Sequence, residues 1–431
     1  MSEPGATGHR TRTITLAAPI ALSLVVLAFA LNQHKWSANG AASRAATAVF
    51  VASSSRDAGP ETLRDAILAA DRLSTRAHII VTAQHITLES ALPALVNPNG
   101  VDIEAAAGAG TIDTGYQETG AALQVNSPSS TLRGLHLSRA RVVGIIVNAP
   151  DVQLDSITVT DSKVGILLNA TARGCTIRTS TFERDETGLM TDAGIRRVAV
   201  LSSIFRGNTR AGLWSVAAAG KPGVASASAP EDSPGRAHVR ISDSVFEKNA
   251  VGIVLANQPT LIQKTRFLRN RDAAVLILGG AARLEDSEIR DSGGNAVSVT
   301  SGVGVVLSHN TFVDNLAAAI SVHDSEVEIE RNTLDHNGLG IVSVISHDAL
   351  STVIADNLIT RTTADAVTLI GGAAFLRRNQ IVENQGAGLR ALDLVQGGGG
   401  LKATPHLDAN VFKGNRMDAP VTGIYKLSGA P

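Results

Sequence analysis

The chain contains 431 residues with a formal net charge of −1, so its charge gives no general attraction to nucleic acid or to an anionic membrane. Aromatic residues make up only 3% of it, which favours a core of small and branched aliphatic side chains. A single cysteine, Cys175, excludes an intramolecular disulfide and a cysteine-based zinc cluster. Cys175 aligns with inward valines of the repeats described below, so we expect it to be buried.

The N-terminal segment has the pattern of an export signal. A polar, basic start is followed by the apolar residues 14–31, which end in the small-residue cleavage pattern Ala28-Phe29-Ala30. The same segment is long enough to span a membrane as an uncleaved anchor. We therefore predict residues 1–31 as signal peptide or anchor and residues 32–47 as a linker. The protein is expected to be periplasmic or secreted, with an inner-membrane anchor as the alternative.

A short amphipathic helix is predicted next, within residues 59–70. Pro60 and Glu61 suit its first turn, and Leu63 and Ile67 would share one apolar face. Because the exposed end of a stack of strands invites aggregation, we expect this helix to cover the N-terminal end of the core.

The rest of the chain repeats with a period of about 22 residues. Each repeat carries an apolar residue with Ser, Thr or Asn two positions before it and, in most repeats, Asn three positions after it. Such side chains can form hydrogen-bonded ladders between coils about 4.8 Å apart, and Asn also tolerates a left-handed turn. The apolar positions of the clearest repeats are Phe182, Phe205, Phe246, Phe267, Ile289, Phe312, Leu334, Ile359, Ile381 and Phe412.

Each repeat also predicts three short strands. A Gly or Ala opens a strand such as Gly252-Ile253-Val254-Leu255, and a strand such as Val305-Val306-Leu307 precedes each small polar residue. One coil cannot bury its apolar side chains alone, whereas stacked coils can. The pattern predicts an all-β, right-handed, single-stranded parallel β-helix of about 12 coils over residues 48–431, with insertions at 217–237 and 396–403.

These motifs resemble those of the bacterial right-handed parallel β-helix repeat proteins of the pectate-lyase-like superfamily. The resemblance rests on Thr-Leu-Arg-Asp-Ala-Ile at 62–67, on coils of the form Asn-x-Phe-x-x-Asn and on Gly-Ile-x-Val strands, and it covers about 380 residues. The family includes polysaccharide lyases, uronan epimerases, hydrolases and non-enzymatic periplasmic accessory proteins. The resemblance therefore implies a sugar chain bound along the outer face of one sheet, without selecting an activity.

The outward residues of the Gly-Ile-x-Val strands form a first candidate surface. Its first half is apolar, and we expect the insertion at 217–237 to cover it; a docked protein or a sugar stacked on Trp214 are the alternatives. The acid cluster of a hydrolase, or the calcium-binding carboxylates of a lyase, do not stack on this row. The row consists of Ile146, Leu167, Met190, Trp214, Val254, Leu276, Ser298, Ser321, Val342, Thr368 and Arg390.

A second outward row lies one residue before the first small polar position of each repeat and alternates in charge. Opposite charges are expected to pair across neighbouring coils, each pair contributing roughly 0.2–1 kcal/mol. Alternatively, the row is a polar track for an anionic polysaccharide, with His309 as base and Arg331 as carboxylate clamp. The row consists of Asp243, Lys264, Asp286, His309, Arg331, Asp356 and Arg378.

The concentration of histidines at 303–350 completes the candidate site. The predicted catalytic residues are His309, Arg331 and His336, and surface histidines are the alternative. No metal or cofactor is predicted, because His309, His323 and His336 fall on different faces or turns. The predicted substrate-binding residues are Trp214, His323, Asp324, Asp356 and Arg378.

These patterns predict an extracytoplasmic protein that binds, or assists the processing of, a bacterial exopolysaccharide. The alternatives are a polysaccharide lyase or uronan epimerase, and a periplasmic accessory or scaffold protein for a protein partner. The missing acid cluster favours binding, whereas the concentration of His and Arg favours catalysis. We expect a monomer whose partner is a polysaccharide or a protein, not a nucleic acid, and which contacts a membrane only through an uncleaved N-terminal segment.

Overall fold

A computed structural model describes residues 47–115, 120–215, 237–396 and 399–426. Residues 47–431 form one compact unit. The predicted signal or anchor, the linker up to residue 46 and the insertion up to residue 236 lie outside the described residues. No helix within the described ranges is long and apolar enough to cross a bilayer.

Three parallel sheets form the solenoid, and from Val101 onward each coil passes through sheet A, sheet B and sheet C in turn. The fold is the predicted right-handed parallel β-helix, with about 13 turns. Among the described residues, sheet A contains fifteen strands: Ala48–Ala52, Ala77–Val81, Val101–Ala105, Thr131–Arg133, Gln153–Asp155, Thr176–Arg178, Val198–Leu201, Val239–Ser242, Thr260–Gln263, Ala282–Glu285, Val305–Ser308, Val327–Glu330, Ser351–Ala355, Ala373–Arg377 and Thr404–Asp408.

Sheet B is built from short strands whose middle residue is buried in nearly every coil, while its neighbours point outward. This alternation is the period of two that extended backbone requires. Its fourteen described strands are His85–Thr87, Thr111–Asp113, His136–Ser138, Thr158–Thr160, Thr181–Glu183, Ile204–Arg206, Val245–Glu247, Arg266–Leu268, Glu288–Arg290, Thr311–Val313, Thr333–Asp335, Leu358–Thr360, Gln380–Val382 and Val411–Lys413.

Sheet C carries the Gly-Ile-x-Val strands and contains the longest strands. Part of the predicted insertion at 396–403 forms a short antiparallel strand, Gly399–Leu401, against Leu389–Gln396. The fourteen described strands of sheet C are Ala121–Val125, Val143–Val147, Val164–Leu168, Thr187–Thr191, Ala211–Ser215, Val251–Ala256, Ala273–Gly280, Val297–Gly302, Ala318–His323, Leu339–Val344, Val367–Ile370, Leu389–Gln396, Gly399–Leu401 and Val421–Lys426.

Helix α1, Leu63–Asp71, packs on the first strands of sheet A, as expected of an N-terminal cap. Thr62 is its N-cap residue, and Ile67 is fully buried. The prediction placed the helix start too early, because Pro60 and Glu61 precede the helix. The φ of Glu61 is +60°, which is left-handed and cannot continue into a right-handed helical turn.

Two ladders of small polar side chains run inside the solenoid and connect coil to coil. The Asn249 Nδ2 donates to Asn270 Oδ1 at 3.1 Å and to the Phe205 carbonyl at 3.0 Å. These contacts confirm the predicted hydrogen-bonded ladder. The expectation that Asn itself takes the left-handed turn was wrong. The residue before Asn has the left-handed conformation, as the exposed Lys248 does with φ +57°. This leaves the Asn side chain pointing inward.

Aromatic and small residues complete the core beside the ladders. The rings of Phe182, Phe205 and Phe246 stack at centroid distances of 4.6 and 4.5 Å, with nearly parallel planes. Cys175 is fully buried, as expected, and burial raises the pKa of its thiol to about 11. Its Sγ donates to the Ala149 carbonyl at 3.6 Å, so this thiol is core filling that solvent does not reach.

Candidate functional site

The outward row of sheet C has the register that the sequence predicts. Parallel Cα pairing connects each of its residues to the next one, from Ile146 and Leu167 through Trp214 to Thr368 and Arg390. The Trp214 ring is half-buried, and the Arg210 guanidinium lies 3.9 Å from its centroid as a cation–π contact. Arg210 therefore covers part of this ring. The segment expected to cover the rest of the apolar row, 217–237, lies almost wholly outside the described residues.

His323 and Asp324 lie at the end of a sheet C strand, on the same sheet as Trp214 but several coils away. The Asp324 carboxylate accepts hydrogen bonds from the Ser346 backbone N–H at 2.7 Å and from its hydroxyl at 2.8 Å. The His323 Nδ1 lies 3.5 Å from Asp324 Oδ2. Asp324 thus ties neighbouring coils together at a turn.

The structure divides the predicted catalytic set between two corners of the coil. His309 and Arg331 precede strands of sheet B, whereas His336 follows a sheet B strand and lies at the corner toward sheet C. There the Asp314 Oδ1 is 2.6 Å from the His336 Nδ1, an ion pair if the imidazole is protonated. The structure does not bring His336 together with His309 and Arg331, because a strand of sheet B, Thr333–Asp335, separates the two corners. The catalytic role of the three residues stays a prediction.

A groove of about 310 Å³ on the outer face of sheet A contains three of the predicted residues. Arg331, Asp356 and Arg378 occupy equivalent corner positions in successive coils, and each has a left-handed φ that points its side chain away from the core. We call this surface the sheet A groove. Its lining residues are Gly304, Val305, Val306, Glu326, Val327, Glu328, Glu330, Arg331, Ser351, Val353, Ala355, Asp356, Arg377 and Arg378.

Two ion pairs organise the corner of the sheet A groove. The Arg378 guanidinium donates from Nε to Asp356 Oδ1 at 2.7 Å and from Nη2 to Oδ2 at 2.6 Å, a bidentate pair across neighbouring coils. This guanidinium holds the pKa of Asp356 below its usual range. The Arg331 Nη1 donates to Glu330 Oε1 at 3.2 Å. The Asp356–Arg378 pair follows the expected pairing across neighbouring coils, whereas Arg331 pairs with Glu330 of its own coil. Both pairs present fixed donors and acceptors to the groove.

The sequence reasoning missed the carboxylates of this groove. Glu326, Glu328 and Glu330 alternate along one strand and all point outward, and Glu326 and Glu328 have no side-chain partner in the described part of the chain. The sequence shows these acids as Glu-Val-Glu-Ile-Glu at 326–330. They lie on sheet A, whereas the acids of a hydrolase or lyase were expected on the outward row of sheet C. No group of three or more His, Cys, Asp or Glu among the described residues converges as a metal site would require.

An aromatic pair continues the floor of the sheet A groove toward the C-terminal end. Val353 pairs in register with Phe375, and Phe375 pairs with His406. The Phe375 and His406 rings stack at 4.8 Å with an interplanar angle of 12°. The Arg377 guanidinium lies 6.0 Å from the Phe375 ring centroid. The arrangement offers a flat ring surface beside charged hydrogen-bonding groups, a combination suited to holding a polar ligand with apolar faces.

Comparison with known proteins agrees with the fold. A family model described as "Right handed beta helix region" matches residues 232–399. The match covers less than half of the chain, and together with the three-sheet solenoid it agrees with the predicted right-handed parallel β-helix fold. No curated protein sequence matches the chain significantly.

Several solved structures share the fold at low sequence identity. The catalytic unit of a GH87 α-1,3-glucanase from Streptomyces thermodiastaticus strain HF3-3 is 14% identical, with a TM-score of 0.53 and coverage of 88% of this chain and 71% of that chain. A variant GH87 α-1,3-glucanase catalytic domain in complex with tetrasaccharides has 12% identity, a TM-score of 0.50 and the same coverage of 88% and 71%. The A-module of an Azotobacter vinelandii mannuronan C-5 epimerase has 12% identity, a TM-score of 0.46 and coverage of 89% and 100%.

Proposed function

We propose that this chain binds a bacterial polysaccharide outside the cytoplasm and assists its processing, with the sheet A groove as the contact surface. The supporting observation is the run of charged and hydrogen-bonding side chains that follows the solenoid axis across three successive coils, from Glu326 to Arg378. A linear polymer can contact such a row repeatedly, coil after coil. The α-1,3-glucanases that share the fold act on a polysaccharide, in agreement with this proposal.

The charges of the groove favour a neutral sugar chain over a uronate chain. Arg331 is paired with Glu330, and Arg378 is paired with Asp356, so a neighbouring carboxylate already offsets the positive charge of each guanidinium. The unpaired carboxylate of Glu328 would repel an acidic polymer. Neutral sugar hydroxyls, in contrast, can donate to the carboxylates and accept from the guanidinium groups.

Co-sedimentation of the purified full chain with insoluble α-1,3-glucan tests the groove. The wild-type chain is expected to sediment with the glucan, and polygalacturonate added as competitor should displace little of it. The R331A/D356A double variant should lose most of this binding. Arg361→Ala is the control, because Arg361 lies at another corner of the coil, in an ion pair with Asp335. Failure of the chain to bind any neutral or acidic polysaccharide would contradict the proposal.

Hydrolysis is a second candidate function, because Glu326 and Glu328 are both unpaired and point the same way. The Cα atoms of residues two positions apart in extended backbone are separated by about 6.6 Å. This spacing is compatible with the roughly 6.5–9.5 Å between the two carboxyl groups of inverting glycosidases. Reducing sugar released from α-1,3-glucan measures this activity. Catalysis by this pair requires that E326Q and E328Q each abolish release while binding persists. If the wild-type chain releases no reducing sugar, hydrolysis is excluded for this glucan and binding is the function that stands.

The extracytoplasmic location is a proposal that rests on the N-terminal sequence, the apolar residues 14–31 and the pattern Ala28-Phe29-Ala30. Expression of the full chain in a bacterium, followed by fractionation and N-terminal sequencing, tests it. A mature protein that begins just after Ala30 indicates a cleaved signal, and an intact chain in the membrane fraction indicates an anchor. An intact chain in the cytoplasm would contradict the proposal.

A further inference from the structure

A cluster of arginines lies where sheet C leads into sheet A, several coils before the sheet A groove. Arg173 lies at this corner in one coil, and Arg196 and Arg197 lie at it in the next. His238 follows at the corner of the third coil, and Arg240 lies just beyond it in the sheet A strand Val239–Ser242. We call these five residues the basic corner. All four arginines are exposed, and His238 is half-buried.

Backbone hydrogen bonds between coils fix the order of the basic corner. The Gly174 N–H donates to the Arg196 carbonyl at 3.0 Å, and the Val198 N–H donates to the His238 carbonyl at 2.9 Å. Arg197 has a left-handed φ of +56°, which directs its side chain outward. Neighbouring coils are about 4.8 Å apart, so Arg173 and the Arg196–Arg197 pair lie about one such step apart along the solenoid axis. Arg240 is in register with Ala199 and therefore lies further along the next coil, on the outer face of sheet A.

The arginines of the basic corner lack acidic partners. Many other surface arginines pair across coils, as Arg184 does with Asp161 at 2.8 Å. In the described part of the chain none of the four arginines makes an ion pair. Asp151 lies one coil earlier, where its N–H donates to the Arg173 carbonyl, and Asp192 lies in the same turn as Arg196 and Arg197. Two acids therefore border four arginines. Desolvation lowers the pKa of His238, and the charge of Arg196 lowers it further.

We propose that the basic corner binds a polysaccharide chain that carries sulfate or other oxyanion groups and lies along the solenoid axis. The guanidinium fork matches the geometry of oxyanions and forms charge-assisted, bidentate hydrogen bonds with them. Arginines in three successive coils suit a polymer that carries several charges, since several weak contacts then act together. This surface is separate from the sheet A groove, whose unpaired carboxylates disfavour such a ligand, so it is independent of the function proposed for that groove.

Affinity electrophoresis of the full chain in gels that contain dextran sulfate, polygalacturonate or uncharged dextran tests the proposal. Dextran sulfate is expected to retard the chain and uncharged dextran is not. Retardation should weaken as salt is added, because the screening length falls from about 10 Å at 0.1 M to about 3 Å at 1 M. Comparison of the sulfate and carboxylate polymers distinguishes the two oxyanion classes.

The R196A/R197A double variant is expected to bind dextran sulfate about tenfold more weakly, equivalent to losing about 1.4 kcal/mol of binding free energy. The matched control is R184A/R361A, which removes the same net charge from paired arginines at another corner and should bind as the wild-type chain does. Circular dichroism checks that both variants are folded. Three results would overturn the proposal: no retardation by either acidic polymer, equal losses in the two double variants, or tighter binding to single-stranded DNA than to both polymers.

Discussion

Replacing Asp185 by Asn is expected to stabilise the protein at neutral pH, because Asp185 occupies a ladder position that Asn fills in most later coils. At Asn208, the next position, Nδ2 donates to the Phe182 carbonyl at 3.2 Å and to Asn249 Oδ1 at 2.8 Å. Asp185 has an oxygen in place of this donor. Its Oδ1 accepts the Ser162 N–H at 2.8 Å, whereas its buried Oδ2 has no hydrogen-bond partner among the described residues.

The pKa of Asp185 determines how much its burial lowers the free energy of unfolding. Burial raises the pKa of Asp185 from 3.8 to about 8. Between these pH values the unfolded chain releases a proton that the folded chain keeps, so stability falls as the pH rises. The loss is about 1.36 kcal/mol per pH unit from about pH 4 to about pH 8. At about pH 7 it amounts to about 4 kcal/mol, which D185N removes.

Urea unfolding followed by far-UV circular dichroism measures this effect. D185N should exceed the wild-type chain in free energy of unfolding, and the difference should grow from about pH 5 to about pH 7, since the cost rises with pH. Asn249→Asp is the matched control, because it places the same carboxylate where an amide now donates to Asn270 and to the Phe205 carbonyl. This variant should be less stable than the wild-type chain, with the same pH trend. Equal stability of D185N and the wild-type chain at every pH would refute the reasoning.

Three further variants test the packing and the surface pairs. Phe205→Ala should destabilise the fold by about 3–5 kcal/mol in the same unfolding assay, because the ring stacks between two others at 4.6 and 4.5 Å. Gly188→Val should prevent soluble expression, since a Cβ there would lie 2.8 Å from the Gly212 carbonyl oxygen of the next coil. Normal yield and spectrum would contradict this close approach. Arg378→Ala should leave the thermal midpoint nearly unchanged, because its ion pair with Asp356 is exposed; a large fall would show that this pair holds the coils together.

The sheet A groove could be predicted from the sequence only in part. Arg331, Asp356 and Arg378 were identified as one outward row, and the structure places them together. Glu326 and Glu328 belong to the same surface, but they occupy a different strand position. Their proximity to the row depends on how sharply each coil turns, which spacing along the chain does not specify.

The position of the left-handed residues depended on the same corner geometry. Each repeat has two candidates for a sharp turn, the ladder Asn and the residue before it, and propensity favours Asn. The structure selects the residue before it, such as Lys248 or Arg331, because the Asn side chain must point inward to bond the next coil. A buried hydrogen bond in every coil outweighs the local preference of one residue for a turn.

The sequence alone determined the period of the coils, the inward and outward alternation of each strand and the register of the sheet C row. These properties are local, since a strand alternates with period two and an in-register stack repeats the same positions coil after coil. Tertiary structure decided which outward rows lie close together across a corner and which arginines form ion pairs with acidic side chains. It also decided which buried carboxyl group lacks a hydrogen-bond donor. Such contacts join residues about one coil or more apart, so they depend on the path of the backbone between strands as well as on residue type.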